Sequence, residues 1–403
     1  MQRTRPGGVY FLVLAAAVIL SALALGLAYQ MLQYRQGVRA AAAVRQARLS
    51  AELGIRHALY FTRVQPNWRN QLNNGRWLSN VVAGDALYNV SGEDPLDGNL
   101  NNGDADPVLL TCTAAVGPVS RTVRVRTRNQ PSPLLSYAVA AGGNLDIGNR
   151  ARITGDVTSN ASIDKSGADT YIFGNAEACG TIAEQSNISG VIAPGSPAKT
   201  FPNPLDVFNY YTARATAIPF TSTLAGVLLS PTSNPFSGPL NPDGLYKINC
   251  ANRTITIKDC RIVGTLLLTG VKSGSKVESA VSWRPARSDY PALLFDGGSV
   301  DLGFSGALQE TKVHVDLSLP TEPGFGSQSD TYPSEIAGLV YGTGDLKYLD
   351  EANVRGVTIV TGVFEVTDDV QCAFDAVVRD SAPPGFTESY LAPIAGTWQE
   401  IVP

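Results

Sequence analysis

The sequence predicts a mainly β protein with one long N-terminal α-helix. That helix acts as transmembrane and stalk helix, and a small α+β module and a parallel β-helix (solenoid) follow it. Three observations carry the expectation. Residues 9–29, VYFLVLAAAVILSALALGLAY, are apolar except for Ser21, Gly26 and the tyrosines at either end, and no charge falls between Arg5 and Arg35. The 403 residues hold 39 Gly and 25 Pro against two His and two Met, the composition of a turn-rich β protein. Beyond residue 150 a frame of branched apolar residue, any residue, glycine, any residue, branched apolar residue recurs. A β-sandwich is the rival for the body, because short Val-rich strands closed by glycine fit both. The expected boundaries are a basic leader at 1–8, the helix at 9–61, the small module at 62–130, the solenoid at 131–382 with an excursion at 194–242, and a C-terminal cap at 383–403.

The apolar run of 21 residues spans roughly 31 Å as a helix, the thickness of a bilayer's hydrocarbon core. Arg3 and Arg5 precede it and Arg35, Arg39, Arg45 and Arg48 follow it, so basic residues alone do not orient it. A Gly-rich, cysteine-containing β body behind a first helix places that body outside the cytoplasm. The competing reading is a cleaved signal peptide, with Ala22-Leu23-Ala24 or Gly26-Leu27-Ala28 as its processing site. Helical composition then continues through GVRAAAAVRQARLSAELGIRHALYF (37–61), where Val44, Ala47, Leu49, Ala51, Leu53, Ile55 and Leu59 form the expected apolar stripe. Pro66 and the turn at Asn73-Asn74-Gly75 end the helix.

A net charge of −4 excludes a dense basic nucleic-acid face. The five cysteines (Cys112, Cys179, Cys250, Cys260, Cys372) contain no C-x-x-C pair, which argues against zinc. Cys250 and Cys260 flank ANRTITIKD and form a disulfide candidate in an oxidising compartment. The alternative is that all five are small buried apolar residues.

Short strands follow the helix at 86–90, 107–116 and 120–128, the last alternating Val123 and Val125 with Arg124, Arg126 and Arg128. The loop EDPLDGNLNNGDADP (93–107) offers oxygen ligands at Asp97, Asn99, Asn101, Asp104 and Asp106, a pattern that wraps Ca2+. It departs from the EF-hand, with Asn102 at the sixth position and Val108 at the twelfth, and the alternative is a solvated turn. No other cofactor is expected.

A leader ending in Gly7-Gly8, an unbroken apolar run and the segment SAELGIRHAL (50–59) together resemble the N-terminal helix of PilX-type minor pilins of type IV pili and pseudopilins of type II secretion. The stretch QPNWRNQLNNGRWLS (65–79) is similar to one found behind that helix in bacterial pilus-assembly-like proteins. The resemblance implies a helix packed on a small antiparallel sheet, pilin-like or secretion-system subunits as partners, and prepilin-type cleavage between Gly8 and Val9. It departs at Val13, where pilins usually carry a glutamate. The order of a β-helix, Pro383-Pro384-Gly385-Phe386 and Trp398 resembles the same proteins.

In the body the frame recurs as ITGDV (153–157), ISGVI (188–192), IVGTL (262–266), IAGLV (336–340) and VRGVT (354–358), with extensions such as GTLLLTG (264–270) and GVTIVTG (356–362). The separation of 18 residues between the last two suits one rung of a parallel β-helix, with Ile, Val and Leu inward and glycine at corners. The excursion is expected to hold a short helix at 206–216 lying across the mouth or side of the solenoid. Trp398 is expected to cap the last rung.

Neither His57 nor His314, in the strand-like VHVD (313–316), has a Ser or Cys partner by spacing, so no catalytic residue is assigned. The enzymatic alternative is a secreted polysaccharide lyase or glycoside hydrolase using solenoid acids among Asp296, Asp301, Asp345, Asp350, Glu351, Asp368 and Asp369. The leading expectation is a non-enzymatic, single-pass protein of the bacterial cell envelope. It is minor pilin-like or pseudopilin-like, and its β-helix recognises a glycan or another protein.

Overall fold

The computed structural model describes residues 7–65, 67–100, 106–167, 169–349 and 351–401. The chain forms two compact units, residues 1–130 with 389–403, and residues 131–388.

The first unit is built on α1 (Gly7–Val64), an unbroken helix of 58 residues. Its amino-terminal half is fully exposed, with Leu12 at 74% and Leu20 at 66%. It is the one helix among the described residues long and apolar enough to cross a membrane. Its other half buries Ala47, Ala51, Ile55 and Ala58. Those positions recur at helical spacing on one side. Leu49 and Leu53, expected in the stripe, are about half exposed because they fall roughly 160–200° around the helix from Ala47 and Ala51.

The stripe packs on an antiparallel sheet of β1 (Gly75–Ala83), β2 (Ala86–Glu93), β3 (Val108–Val116) and β4 (Val119–Pro131). Tyr88, Val90, Leu110, Cys112, Val123 and Val125 face the helix. Gly54 makes this approach possible: a Cβ there would collide with Cys112 Sγ. β1 has no counterpart among the strands expected from sequence. It carries Asn80 and Ser79, and its pairing with β2 is broken by two register shifts.

The sheet is completed by the far end of the chain. Strand Thr387–Pro393 follows β4 in the sheet order, and Gln399–Ile401 pairs antiparallel with β4. Trp68 Nε1 donates to Ser389 O at 2.6 Å, and Leu391 N donates to Thr62 Oγ1 at 3.2 Å. This corrects the expected 383–403 cap: residues 389–401 belong to the first unit, and Trp398 is 40% exposed. The edge of β4 supplies the unpaired backbone that recruits them.

The second unit is a parallel β-helix of three faces, and its parallel registers throughout rule out the sandwich. Its rungs are not stacked in chain order. Residues 139–154 start one half, which grows through 157–173 to 176–194. The other half begins at 216–229 and runs through 245–263, 265–284, 293–304 and 335–348 to 353–374. Its last turn stacks directly on the first: Thr358↔Val139, Phe364↔Leu145 and Gln371↔Arg152. The excursion expected at 194–242 is therefore a crossover between the two halves, and its residues 216–229 are themselves a rung.

The crossover helix, Pro204–Arg214, is capped by Asn203, whose side chain accepts from Leu205 N. It lies along one outer face, where Val207 and Tyr211 join Leu245, Leu267, Leu294, Leu339, Tyr341 and Ile359 in a second core. Tyr211 Oη donates to Pro384 O at 3.0 Å, and Phe386 closes over the same face. Strands of this face are buried on both sides, which is why LLL (266–268) and TIV (358–360) read as continuous apolar runs. A second excursion at 305–334 pairs Ala307–Gln309 with Thr331–Pro333. The expected VHVD strand is instead the end of a one-turn helix, Glu310–Val313, with His314 left-handed at φ 55°.

Candidate functional site

The residues singled out from sequence do not converge on one centre. Val9 lies within α1, which already includes Gly7 and Gly8, and is 70% exposed. In the loop after β2, Asp97 Oδ1 accepts from Asn99 N at 2.9 Å, while Asn101 and Asp104 lie outside the described residues. Asp106 contributes its backbone carbonyl, not its carboxylate, to the contact that draws the loop's described ends together. Arg69, stacked 4.6 Å from the Trp68 ring, donates to Leu100 O at 3.1 Å and to Asp106 O at 2.9 Å. No group of three or more His, Cys, Asp or Glu side chains suited to a metal occurs among the described residues.

All five cysteines are free thiols, which corrects the Cys250–Cys260 candidate. Cys250 lies within strand Leu245–Arg253 and Cys260 within the next strand, Thr256–Val263, and both thiols are buried in the solenoid core. Cys260 donates to Lys258 O at 2.9 Å. Burial raises the Cys112 and Cys372 thiols to about 12 and Cys260 to about 11, which keeps these groups un-ionised and poorly nucleophilic.

His57 Nδ1 is 2.8 Å from Tyr88 Oη. Four of the candidate acids are similarly engaged. Asp296 accepts from Thr343 Oγ1 at 2.7 Å, Asp345 from Val363 N at 2.8 Å, and Asp368 and Asp369 pair with Arg150 at 3.8 and 3.0 Å. Asp350 lies outside the described residues.

Of the three solenoid faces, one is covered by the crossover helix. The second carries a ladder of charges, Lys276, Asp301, Lys347, Glu365, Asp146 and Asp164, paired rung to rung. Lys347 Nζ meets Glu365 at 2.6 Å. The Asp146 carboxyl is raised above its ordinary value by burial and then by Asp164 and Glu365.

The third face holds an open polar groove of ≈ 560 Å³. Its outward ladder runs Arg152, Gln371 and Asn353, and Tyr171 extends it on the rung beyond Arg152. Beside it, Arg150, Asp369 and Glu351 occupy equivalent corners, all left-handed at φ 55°, 59° and 62°. At one end Tyr171 and Phe173 lie with ring centroids 5.8 Å apart and planes within 5°, and Phe173 is 47% exposed.

Sequence reasoning missed this groove. The alternation Tyr171-Ile172-Phe173 marks an outward aromatic pair, but the partners Arg152 and Gln371 come from opposite sides of the break in rung order. No separation in the sequence links them.

No family model matches the chain, and no curated protein matches it. Among solved structures, the competence-associated pilin ComZ from Thermus thermophilus superposes with a TM-score of 0.33 at 12% identity, covering 89% of this chain and 97% of that one. An ice-binding protein from the Antarctic ascomycete Antarctomyces psychrotrophicus gives 0.27 at 12% identity, over 61% of this chain and 99% of its own. A domain of an ice-binding protein from Shewanella frigidimarina gives 0.30 at 12% identity, over 61% and 98%. Superpositions at this level carry no argument about function.

Proposed function

We propose that this protein is a structural component of the bacterial cell envelope. It is a minor pilin-like or pseudopilin-like subunit, held by α1 in the membrane or in a filament core, that displays a β-helix outside the cytoplasm. The observation that carries this reading is the division of α1. One unbroken helix is wholly exposed and apolar over its first half, and packs on an antiparallel sheet over its second.

An exposed apolar stretch of that length is stable only in lipid or among other apolar helices. Ala15, Ala16, Ala17, Ser21, Ala22, Ala24 and Gly26 leave room for close helix packing there. The reading includes prepilin-type processing between Gly8 and Val9 and assigns no catalytic step to the solenoid. The solenoid's rigid parallel rungs suit recognition of an extended ligand.

Fractionation tests it. The protein should remain with membranes after alkaline extraction and co-purify with pilin-like or secretion-system subunits. Recovery as a soluble secreted species lacking residues 9–29 would overturn it.

A further inference from the structure

We propose that the groove face of the β-helix binds an oligosaccharide in which a carboxylated sugar adjoins neutral sugars. This rests on the reading of the solenoid as a displayed recognition surface, and it names the site and the ligand class.

The platform comes first. Tyr171 and Phe173 point outward from one three-residue strand with their rings nearly parallel. The C–H face of a pyranose stacks on such rings because they combine a large apolar surface with a negative quadrupole face. The outward ladder beyond this pair is polar: Arg152, Gln371 and Asn353. A protein partner would need a broader desolvated centre.

The next rung supplies the charge. Arg152 is exposed, its guanidinium lies 5.8 Å from the Tyr171 ring centroid, and it has no carboxylate partner among the described residues. Its neighbours are committed elsewhere: Arg150 to Asp368 and Asp369, Arg355 to Asp375 and Glu335. A guanidinium left open beside an aromatic platform suits a carboxylate on the stacked sugar, held by a two-pronged hydrogen bond.

Gln371 and Asn353 follow on successive rungs, and their side-chain amides make no hydrogen bond to protein among the described residues. Each can both donate and accept, which matches sugar hydroxyl pairs. Rungs repeat at about 4.8 Å, comparable to the advance of one pyranose along an extended chain. Glu351 lies in the same groove without a cation partner among the described residues, which disfavours a second carboxylate at that end. The charge pattern therefore selects an acidic sugar next to neutral ones over a uniformly charged polymer.

The test is calorimetric titration of the full-length protein in detergent with hyaluronan hexasaccharide, in parallel with the same hexasaccharide after reduction of its carboxyl groups. The native sugar should bind the wild-type protein more tightly than the reduced one. Arg152→Gln should weaken binding of the native sugar tenfold or more and erase the preference, and Phe173→Ala should weaken both sugars. Asp301→Asn, on the charged face, should leave binding as in the wild type and controls for general damage.

Absence of saturable binding to the wild type would overturn the proposal. So would binding unchanged by Arg152→Gln, or binding lost equally in Asp301→Asn. Membrane retention of Arg152→Gln should equal that of the wild type, so failure of the glycan site and failure of the anchor reading give different results.

Discussion

Gly338 and Gly356 pair across adjacent rungs at φ 118° and 146°, and a Cβ on Gly356 would collide with Gly338 O. These are the glycines of the recurring IAGLV and VRGVT frames, so the repeat was readable from sequence because a rung corner requires the residue. Gly356→Ala should lower stability by at least about 2 kcal/mol, from strain together with the forced separation of two rungs. Thermal unfolding checks this.

The salt bridge under the 305–334 excursion was not readable. Arg261 is 6% exposed, meets Glu322 at 2.5 and 2.7 Å, donates to Leu317 O, and lies 4.0 Å from the Tyr332 ring centroid. Its 61-residue separation from Glu322 hides it. The Arg261 guanidinium holds the Glu322 carboxyl down to about 2 from the ordinary 4.5. A carboxyl depressed on folding contributes stability that is complete above its unfolded value and is lost as pH falls from there through about 2. Protection from hydrogen exchange in residues 305–334, taken relative to the intrinsic rate at each pH, should therefore be high at pH 6 and fall below about pH 4. Glu322→Gln should show low protection at both.

At the scale of elements, the long helix, strands β2, β3 and β4 of the small sheet and the crossover helix were legible. Each is written in a local period: an apolar run, an i, i+4 stripe, or β alternation. The rung order was not, because the junction of residues 358–374 with 139–154 depends on where the chain re-enters the stack. The groove shares that fate, since its ladder crosses the same junction. The loop at 93–107 is read differently at the two levels: the sequence shows oxygen ligands at alternate positions, and the structure shows Asp97 accepting from Asn99 N and Arg69 holding the loop's described ends, with Asn101 and Asp104 outside the described residues.

Two elements are open to direct test. Tyr211→Phe removes the hydrogen bond to Pro384 O and should cost about 1 kcal/mol, while Tyr211→Ala should cost about 3–5 kcal/mol by also emptying the core under the crossover helix. In α1, Leu20→Arg adds roughly 2.5–3.5 kcal/mol to membrane insertion and should shift the protein toward the soluble fraction.

For the whole molecule, the topology matters more than any rung. The β-helix is inserted into the helix-and-sheet unit, between β4 and the strand Thr387–Pro393, so the chain passes between the units twice. Deleting residues 389–403 should therefore speed amide exchange in β4 and around Trp68, while leaving the solenoid core near its wild-type protection. A terminal cap on the solenoid would give the reverse pattern.

The proposed role depends on α1 being retained as an apolar anchor that carries the rest of the chain. Intact-mass analysis of the mature protein from the membrane fraction tests this most directly. The expected result is an amino terminus at Val9, or at Met1 if unprocessed, with the apolar segment present in the extracted protein. A mature terminus near Tyr29 on protein recovered outside the membrane would contradict it.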